Sequence, residues 1–299
     1  MANKREIVKR RKSVGNIHKI TKTMEMIATA RYKKAMDRAL GGKPYSEKIS
    51  ELVRTLSAGG GQDQHPLLQE NRGVDRVILL SLTSNRGLCG GYNANVNRLT
   101  LKTARQLQES GSDLELRVSG RKGTAFCRFS KLNVVHAYGH FDEKTGFADV
   151  ETLANEFIDL YVSGRISGVK VVYTYFESAA RHYAKVLDLL PLSGLSDTDA
   201  PQETDAPQGG GLNLEQYIFT PSADEILERL IPTMVRMQLY QCFTDAIVAE
   251  QMARMTAMKA ATDNADQLIK SLGRQYNRAR QSQITNELLD ILGGVEALK

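Results

Sequence analysis

Tryptophan is absent from the 299 residues, and aromatics make up only 6%. A globular enzyme of this length usually carries more, so part of the chain is expected to bury little core. The three cysteines, Cys89, Cys127 and Cys242, are scattered and form no CxxC pair. That excludes a disulfide framework and fits free thiols in a reducing compartment. No run of residues approaches the ~18–20 apolar positions needed to span a bilayer. The longest, Val77-Ile78-Leu79-Leu80, is strand-sized. Met1-Ala2-Asn3-Lys4-Arg5 leads straight into a helical pattern with no apolar h-region and no transit character. Any membrane association is therefore expected to come through a partner.

The chemical inventory is equally thin. There is no GxxxxGK[ST], so no P-loop is expected to cradle a triphosphate. Gly41-Gly42-Lys43 is followed by Pro44 in a helical context. Thr83–Gly91 lies where a dinucleotide loop would sit, but it lacks GxGxxG spacing and reads as a tight strand-to-helix turn that needs glycine. His18, His65, His136, His140 and His182 show no ligand spacing. Cys89 lies near Arg86, which could activate a thiol, but no histidine is placed as its base, and a buried thiol is the commoner case. No catalytic, cofactor-binding or metal-binding residue is expected, which argues against an autonomous enzyme.

What is present is long helical periodicity at both ends. Residues 3 to about 57 read as one helix, with Gly41–Pro44 as a candidate break. Ile17, Ile20, Met24 and Ile27 follow the 3-4-3 spacing of a coiled-coil seam, and Ile7, Val14, Ala28 and Ala35 extend it in heptad register. The flanks are rich in Lys and Arg, from Lys9 to Arg38. They read either as a solvated face or as a positive surface turned toward something acidic; the net charge of +6 fits the second without naming the partner. Gly59-Gly60-Gly61 ends the segment.

From Ser222 to about Leu292 the pattern is helical again, with Ser222 as N-cap and Glu225 three residues on. Pro232 is a candidate kink. About seventy residues at ~1.5 Å each make roughly 100 Å of helix. No single globular domain buries that length, and the only partner in the chain is the N-terminal helix. An antiparallel coiled coil is therefore expected, with the tip of the longer C-terminal helix projecting. Met258–Asp266 (MKAATDNAD) is small and polar. Unlike a two-helix seam, it reads either as a weakly packed helix or as one that sits close to, or slides past, a surrounding surface.

The middle alternates strands and helices. Strands are expected at 74–83, 114–119, 133–138, 169–176 and 184–192, and helices at 93–110 and 148–163. That pattern predicts a largely parallel, Rossmann-like α/β domain inserted between the two long helices. The expected divisions are 1–57 (N-terminal shaft helix), 74–192 (α/β domain), 193–213 (acidic, Pro/Gly-rich linker) and 214–299 (C-terminal shaft helix).

Three segments carry a family resemblance. Lys19–Ala28 (KITKTMEMIA) is similar to a KITKAMxMVA signature, and Ser84–Gly90 (SNRGLCG) to an SDRGLCG turn. Met255–Asn264 (MTAMKAATDN) and Tyr276–Leu288 (YNRARQSQITNEL) resemble a closing signature. Together, in this order and across nearly the whole chain, they resemble the gamma-subunit family of F-type (rotary) ATP synthases. The resemblance implies a non-catalytic central rotor stalk. Such a stalk stands inside a ring of alpha and beta subunits, with its foot on the membrane rotor ring beside epsilon, and couples proton-driven rotation to ATP synthesis on beta. It implies rotor–stator contacts at Met24, Arg254, Gln281, Thr285 and Glu287. It also implies membrane-ring or epsilon contacts at Tyr217, Phe219 and Thr220, and a structural turn at Arg86, Gly87 and Gly90. Asn85 and Thr220 stand where the family usually has Asp and Glu. With no transit segment, the expected location is the cytoplasmic side of the cell (inner) membrane, held peripherally. Two other readings compete: a basic coiled-coil nucleic-acid-binding protein acting through residues 4–38, and a nucleotide-dependent enzyme built on the α/β domain.

Overall fold

The computed structural model describes residues 4–56, 65–71, 73–178, 181–192 and 222–296. The element order is α1 (Lys4–Leu56), β1 (Arg76–Leu82), α2 (Tyr92–Glu109), β2 (Asp113–Ser119), α3 (Arg121–Phe129), β3 (Val134–Tyr138), α4 (Phe147–Val162), β4 (Gly168–Phe176), β5 (His182–Leu190) and α5 (Ala223–Glu296). The chain forms two compact units. One combines residues 1–30 with 254–299, and the other is 31–253.

In the second unit the sheet runs β3-β2-β1-β4-β5. β1 pairs in parallel with β2 and β4, β2 with β3, and β5 closes the sheet antiparallel to β4. The period-2 alternation of β1 decides the layers. Ile78, Leu80 and Leu82 face a core shared with α4 (Val150, Phe157, Tyr161), the first part of α5 (Ile231, Val235, Leu239) and the end of α1 (Ile49, Val53). Leu79 faces the other way, into a smaller core with Val96 and Ala104 of α2 and Cys127 of α3.

The helix α1 does not break at Gly41–Pro44; it continues to Leu56 with Pro44 inside it. The reason is downstream, where Ile49 and Val53 are buried in the main core and hold the last turns helical. That burial outweighs the loss of one backbone bond at Pro44. Pro232 likewise lies within the uninterrupted α5. The helix α3 was not expected from the sequence. Its nine residues follow Gly120 directly and contain Gly123, so helix-breaking residues mask it.

Those two glycines are dictated by Thr83 at the end of β1. Thr83 donates its hydroxyl to the Ser119 carbonyl at 2.7 Å and accepts from the Gly123 N–H at 3.0 Å. A Cβ at Gly120, where φ is +100°, would lie 2.2 Å from the Thr83 carbonyl oxygen, and one at Gly123 would lie 2.4 Å from its hydroxyl. Gly15, inside α1, has nothing within 4 Å of its would-be Cβ. Gly120→Ala is therefore expected to cost about 3 kcal/mol or more in thermal unfolding. Gly15→Ala is expected to gain roughly 0.5–1 kcal/mol of helix stability. Equal effects of the two substitutions would contradict this assignment.

Candidate functional site

In an open α/β sheet, ligands bind beyond the carboxyl ends of the strands where the strand order reverses, here between β1 and β4. In this chain the crevice is filled. Cys89 and Tyr92 pack with Ala249, Ala253 and Phe176. Tyr32 meets Phe176 edge-on at 6.3 Å, and Phe141 packs tilted against Phe243 at 4.6 Å. A cavity of about 30 Å³ remains, lined by residues that include Thr83, Tyr92, Asp142 and Glu250. That is room for about one water and no dinucleotide.

The turn after β1 is a closed hydrogen-bond network. Ser84 donates its hydroxyl to the Arg86 carbonyl at 2.6 Å, and its N–H to Asn93 Oδ1 at 3.0 Å. Asn93 Nδ2 reaches Ser84 Oγ at 2.8 Å and the buried Cys89 sulfur at 3.1 Å. Leu88 and Gly90 take positive φ, +63° and +55°, to complete the bend. Gly87 is half-buried and Arg86 exposed. Burial pushes the Cys127 thiol up to about 11 and raises that of Cys242 as well, so both stay protonated and inert.

Asn85 shows why an amide suits this turn. Its Nδ2 donates to the carbonyls of Phe141 at 2.8 Å and Gly139 at 3.4 Å, while its Oδ1 accepts from the Arg121 N–H at 3.2 Å. One side chain thus ties the β3–α4 loop to the start of α3. A carboxylate there would lose both donated bonds and face two carbonyl oxygens. Asn85→Asp is expected to destabilise the chain by about 1–3 kcal/mol, read by chemical denaturation. An unchanged midpoint would remove the amide from this role.

The first unit holds the facing segments of α1 and α5. Thr262 of α5 meets Thr21 of α1 through their hydroxyls at 2.9 Å, both buried. His18 Nε2 lies 3.2 Å from Asp266 Oδ1, and the Arg11 guanidinium sits over the Tyr276 ring at 5.5 Å. As the numbers rise on one helix they fall on the other, so the pair is antiparallel. The buried positions on α1 are Ile7, Thr21 and Ala28, with Val14 half-buried between them, a strict seven-residue repeat. On α5 they are Arg254, Met258, Thr262, Ala265 and Leu272. Against expectation, three residues of the stretch at 258–266, Met258, Thr262 and Ala265, lie in this helix–helix seam, while Lys259, Ala260, Asp263, Asn264 and Asp266 are exposed.

This corrects the seam drawn through Ile17, Ile20, Met24 and Ile27. The repeat through Ile7, Val14 and Ala28 is the inner face, with Thr21 as its missing member. Ile17, Ile20 and Ile27 point outward at 52%, 59% and 47% exposure, and Met24 is half-buried on the flank. Around Thr21 and Ala28 the inner positions are small and the neighbouring isoleucines lie outside, whereas Ile7, Met258 and Leu272 are buried elsewhere on the inner face. On α5, Ile284, Leu288, Leu289, Ile291 and Leu292 are also exposed. Of the eighteen exposed large hydrophobics among the described residues, eleven fall in this smaller unit. That concentration is too high for a surface meant to stay in water.

The other expected contact residues separate. Arg254 is only 8% exposed, on the inner face. Gln281, Thr285 and Glu287 are exposed near the end of α5; Thr285 donates to the Gln281 carbonyl at 3.0 Å, and Glu287 accepts from Gln283 at 2.7 Å. Tyr217, Phe219, Thr220 and the linker at 193–213 lie outside the described residues. Among the described residues no three His, Cys, Asp or Glu side chains converge to hold a metal ion. None of the described helices is long and apolar enough to cross a membrane.

An antiparallel helix pair whose chain also carries an α/β domain between the two helices, with bulky apolar side chains outside and the crevice plugged, defines a coiled-coil shaft protein rather than a nucleotide enzyme. The comparisons make this specific. The ATP synthase family model matches residues 3–298. A curated "ATP synthase gamma chain" of Rhodopirellula baltica is 45% identical over 299 residues, covering 100% of both chains. One of Dehalococcoides mccartyi is 41% identical over 300 residues, again with 100% of both covered. The fold also matches a chain of the Euglena gracilis mitochondrial ATP synthase (OSCP/F1/c-ring, rotational state 3), with a TM-score of 0.64 at 16% identity over 99% of this chain and 94% of that one. This chain belongs to the ATP synthase gamma-chain family. Nothing in the comparisons supports the nucleic-acid reading.

Proposed function

We propose that this chain is the central rotor stalk of a proton-translocating F-type ATP synthase. It turns inside a ring of alpha and beta subunits, and its foot meets the membrane rotor ring and epsilon. It carries no catalytic site of its own. The observation that supports this reading is the shaft surface, with Thr21, Ala28, Thr262 and Ala265 in the seam and Ile17, Ile20 and Ile27 outside. Leaving three isoleucines about half exposed forgoes on the order of 1 kcal/mol each. A surrounding sleeve of partner subunits recovers that energy. Apolar contact is also non-directional, so it excludes water without locking one rotational register as an array of hydrogen bonds would.

The shaft is asymmetric, with an apolar stripe and basic flanks on α1. Each beta subunit therefore meets a different face as the shaft turns. A face can bias beta between open and closed states only by binding the two differently, and asymmetry supplies that difference. In this reading Met24 touches the sleeve beside the stripe, and Gln281, Thr285 and Glu287 touch it near the tip of α5. Arg254, from the inner face, sets the helix-pair geometry beneath the contact. Tyr217, Phe219 and Thr220 serve the membrane-ring side. The location is peripheral, on the cytoplasmic side of the cell membrane.

Ile20→Glu separates folding from function, because the side chain is exposed in the isolated chain. Its melting temperature is expected to stay within a few degrees of the parent. Mg-ATP hydrolysis by the complex reconstituted with cognate alpha and beta subunits is expected to fall severalfold, as for loss of a central apolar anchor. Full turnover in an assembled variant would count against the sleeve contact. Failure of the parent chain to associate with alpha and beta would count against the stalk itself.

A further inference from the structure

Among the described residues the sheet ends at β3, which pairs with β2 alone. Its outer edge therefore carries backbone donors and acceptors that no described strand pairs. The Tyr138 carbonyl accepts from the Gly120 N–H at 2.9 Å, on the β2 side. Backbone groups of successive strand residues point to opposite sides, so the N–H and C=O of Ala137 point outward.

The surroundings of this edge carry charge of one sign. From Leu116 to Phe141 the sequence has no Asp or Glu, yet it holds five Lys or Arg and two His. Arg117 is satisfied within the fold, 2.7 Å from Glu115 and 2.6 Å from Glu156. Arg121, Lys122, Arg128 and Lys131 make no ion pair with any described residue. A groove of about 260 Å³ lies between α3 and the edge, lined by Arg121, Thr124, Ala125, Arg128 and Ala137. Phe129, next to Arg128 at the end of α3, is 87% exposed, more than any other large hydrophobic among the described residues, and Val135, two residues before Ala137 on β3, is 48% exposed. Clustered cations repel one another and are retained most readily where an anionic partner offsets the repulsion.

We propose that the β3 edge and the α3 groove dock an acidic β-strand of a partner protein. A strand added to β3 takes its ladder from outward groups such as those of Ala137. It turns alternate side chains, about 6.7 Å apart, into the groove. Arg121 and Arg128 lie two turns apart on α3, roughly 10.5 Å, and their long side chains converge on two such positions. Guanidinium binds carboxylate bidentately, so the strand takes the form acidic-x-acidic, with Phe129 and Val135 as apolar anchors at its end. The free ladder supplies affinity, and the arginines supply register and choice of partner. One exposed ring and one strand edge suit a peptide better than a single-stranded nucleic acid, which needs stacking platforms for successive bases.

The test titrates the full-length chain with a fluorescein-labelled nine-residue peptide alternating Val and Glu, followed by anisotropy at about 0.15 M salt. Saturable binding is expected. It should weaken at least tenfold in Arg121→Glu/Arg128→Glu, whose two sites are exposed, and also in Ala137→Pro. The proline removes an outward N–H and no ladder bond, the one strand setting in which it is tolerated. Both variants are checked by melting. No binding by the parent chain would overturn the proposal. So would unchanged affinity in the arginine double variant, or equal affinity for a proline-interrupted peptide of the same composition or a twelve-nucleotide DNA strand. The proposal does not rest on the central-stalk reading, and failure of reconstitution with alpha and beta would leave it standing.

Discussion

Two helices come close only where their facing side chains are small, and the shaft follows from that constraint. Thr21 and Ala28 on one helix and Thr262 and Ala265 on the other leave little to separate the backbones. The hydroxyl pair is satisfied without water, since Thr262 donates to Thr21 Oγ1 and Thr21 donates to the His18 carbonyl. Around the Thr21–Thr262 contact the inner positions are small and Ile17, Ile20 and Ile27 turn outward, while Ile7 is buried two heptads earlier on the same face. A shaft made this way is stable only to the extent that its pairing outweighs its exposed surface. It gains further stability when that surface is covered.

The α/β domain shows the complementary economy. Its topology provides a crevice of the kind that binds nucleotides in related sheet architectures. Ala249, Ala253 and Phe243 of α5 occupy it, and the turn after β1 is spent on internal hydrogen bonds rather than on a phosphate. The glycines near that turn, Gly120 and Gly123, serve the close approach of Thr83. Fold and function part company here: the scaffold is Rossmann-like, while the chemistry of the complex lies on other chains.

Much of this was legible in the sequence. All five strands fall within two residues of where alternation and apolar runs placed them, and both long helices appear, because strong periodicity over long windows survives tertiary context. The short helix α3 was missed, since its local signal is cancelled by Gly120 and Gly123, whose reason is a contact with a strand some forty residues away. The antiparallel direction of β5 is likewise set by the pairing partner and not by composition. Of the expected seam, Ile7, Val14 and Ala28 do lie on the inner face, whereas Ile17, Ile20 and Ile27 sit one residue off it, because a run of large apolar residues outweighed the strict repeat that passes through Thr21. The role of Asn85 could not be read from its neighbours, since the carbonyls it holds belong to Gly139 and Phe141.

The central claim is that this chain turns while its partners stand still. All three native cysteines are buried, so a single exposed thiol introduced by Gln108→Cys on α2 can carry a bead. With the cognate alpha and beta ring anchored to a surface and Mg-ATP supplied, the account predicts sustained rotation of the bead in one direction. A bead that stays fixed while the same complexes hydrolyse ATP would contradict it.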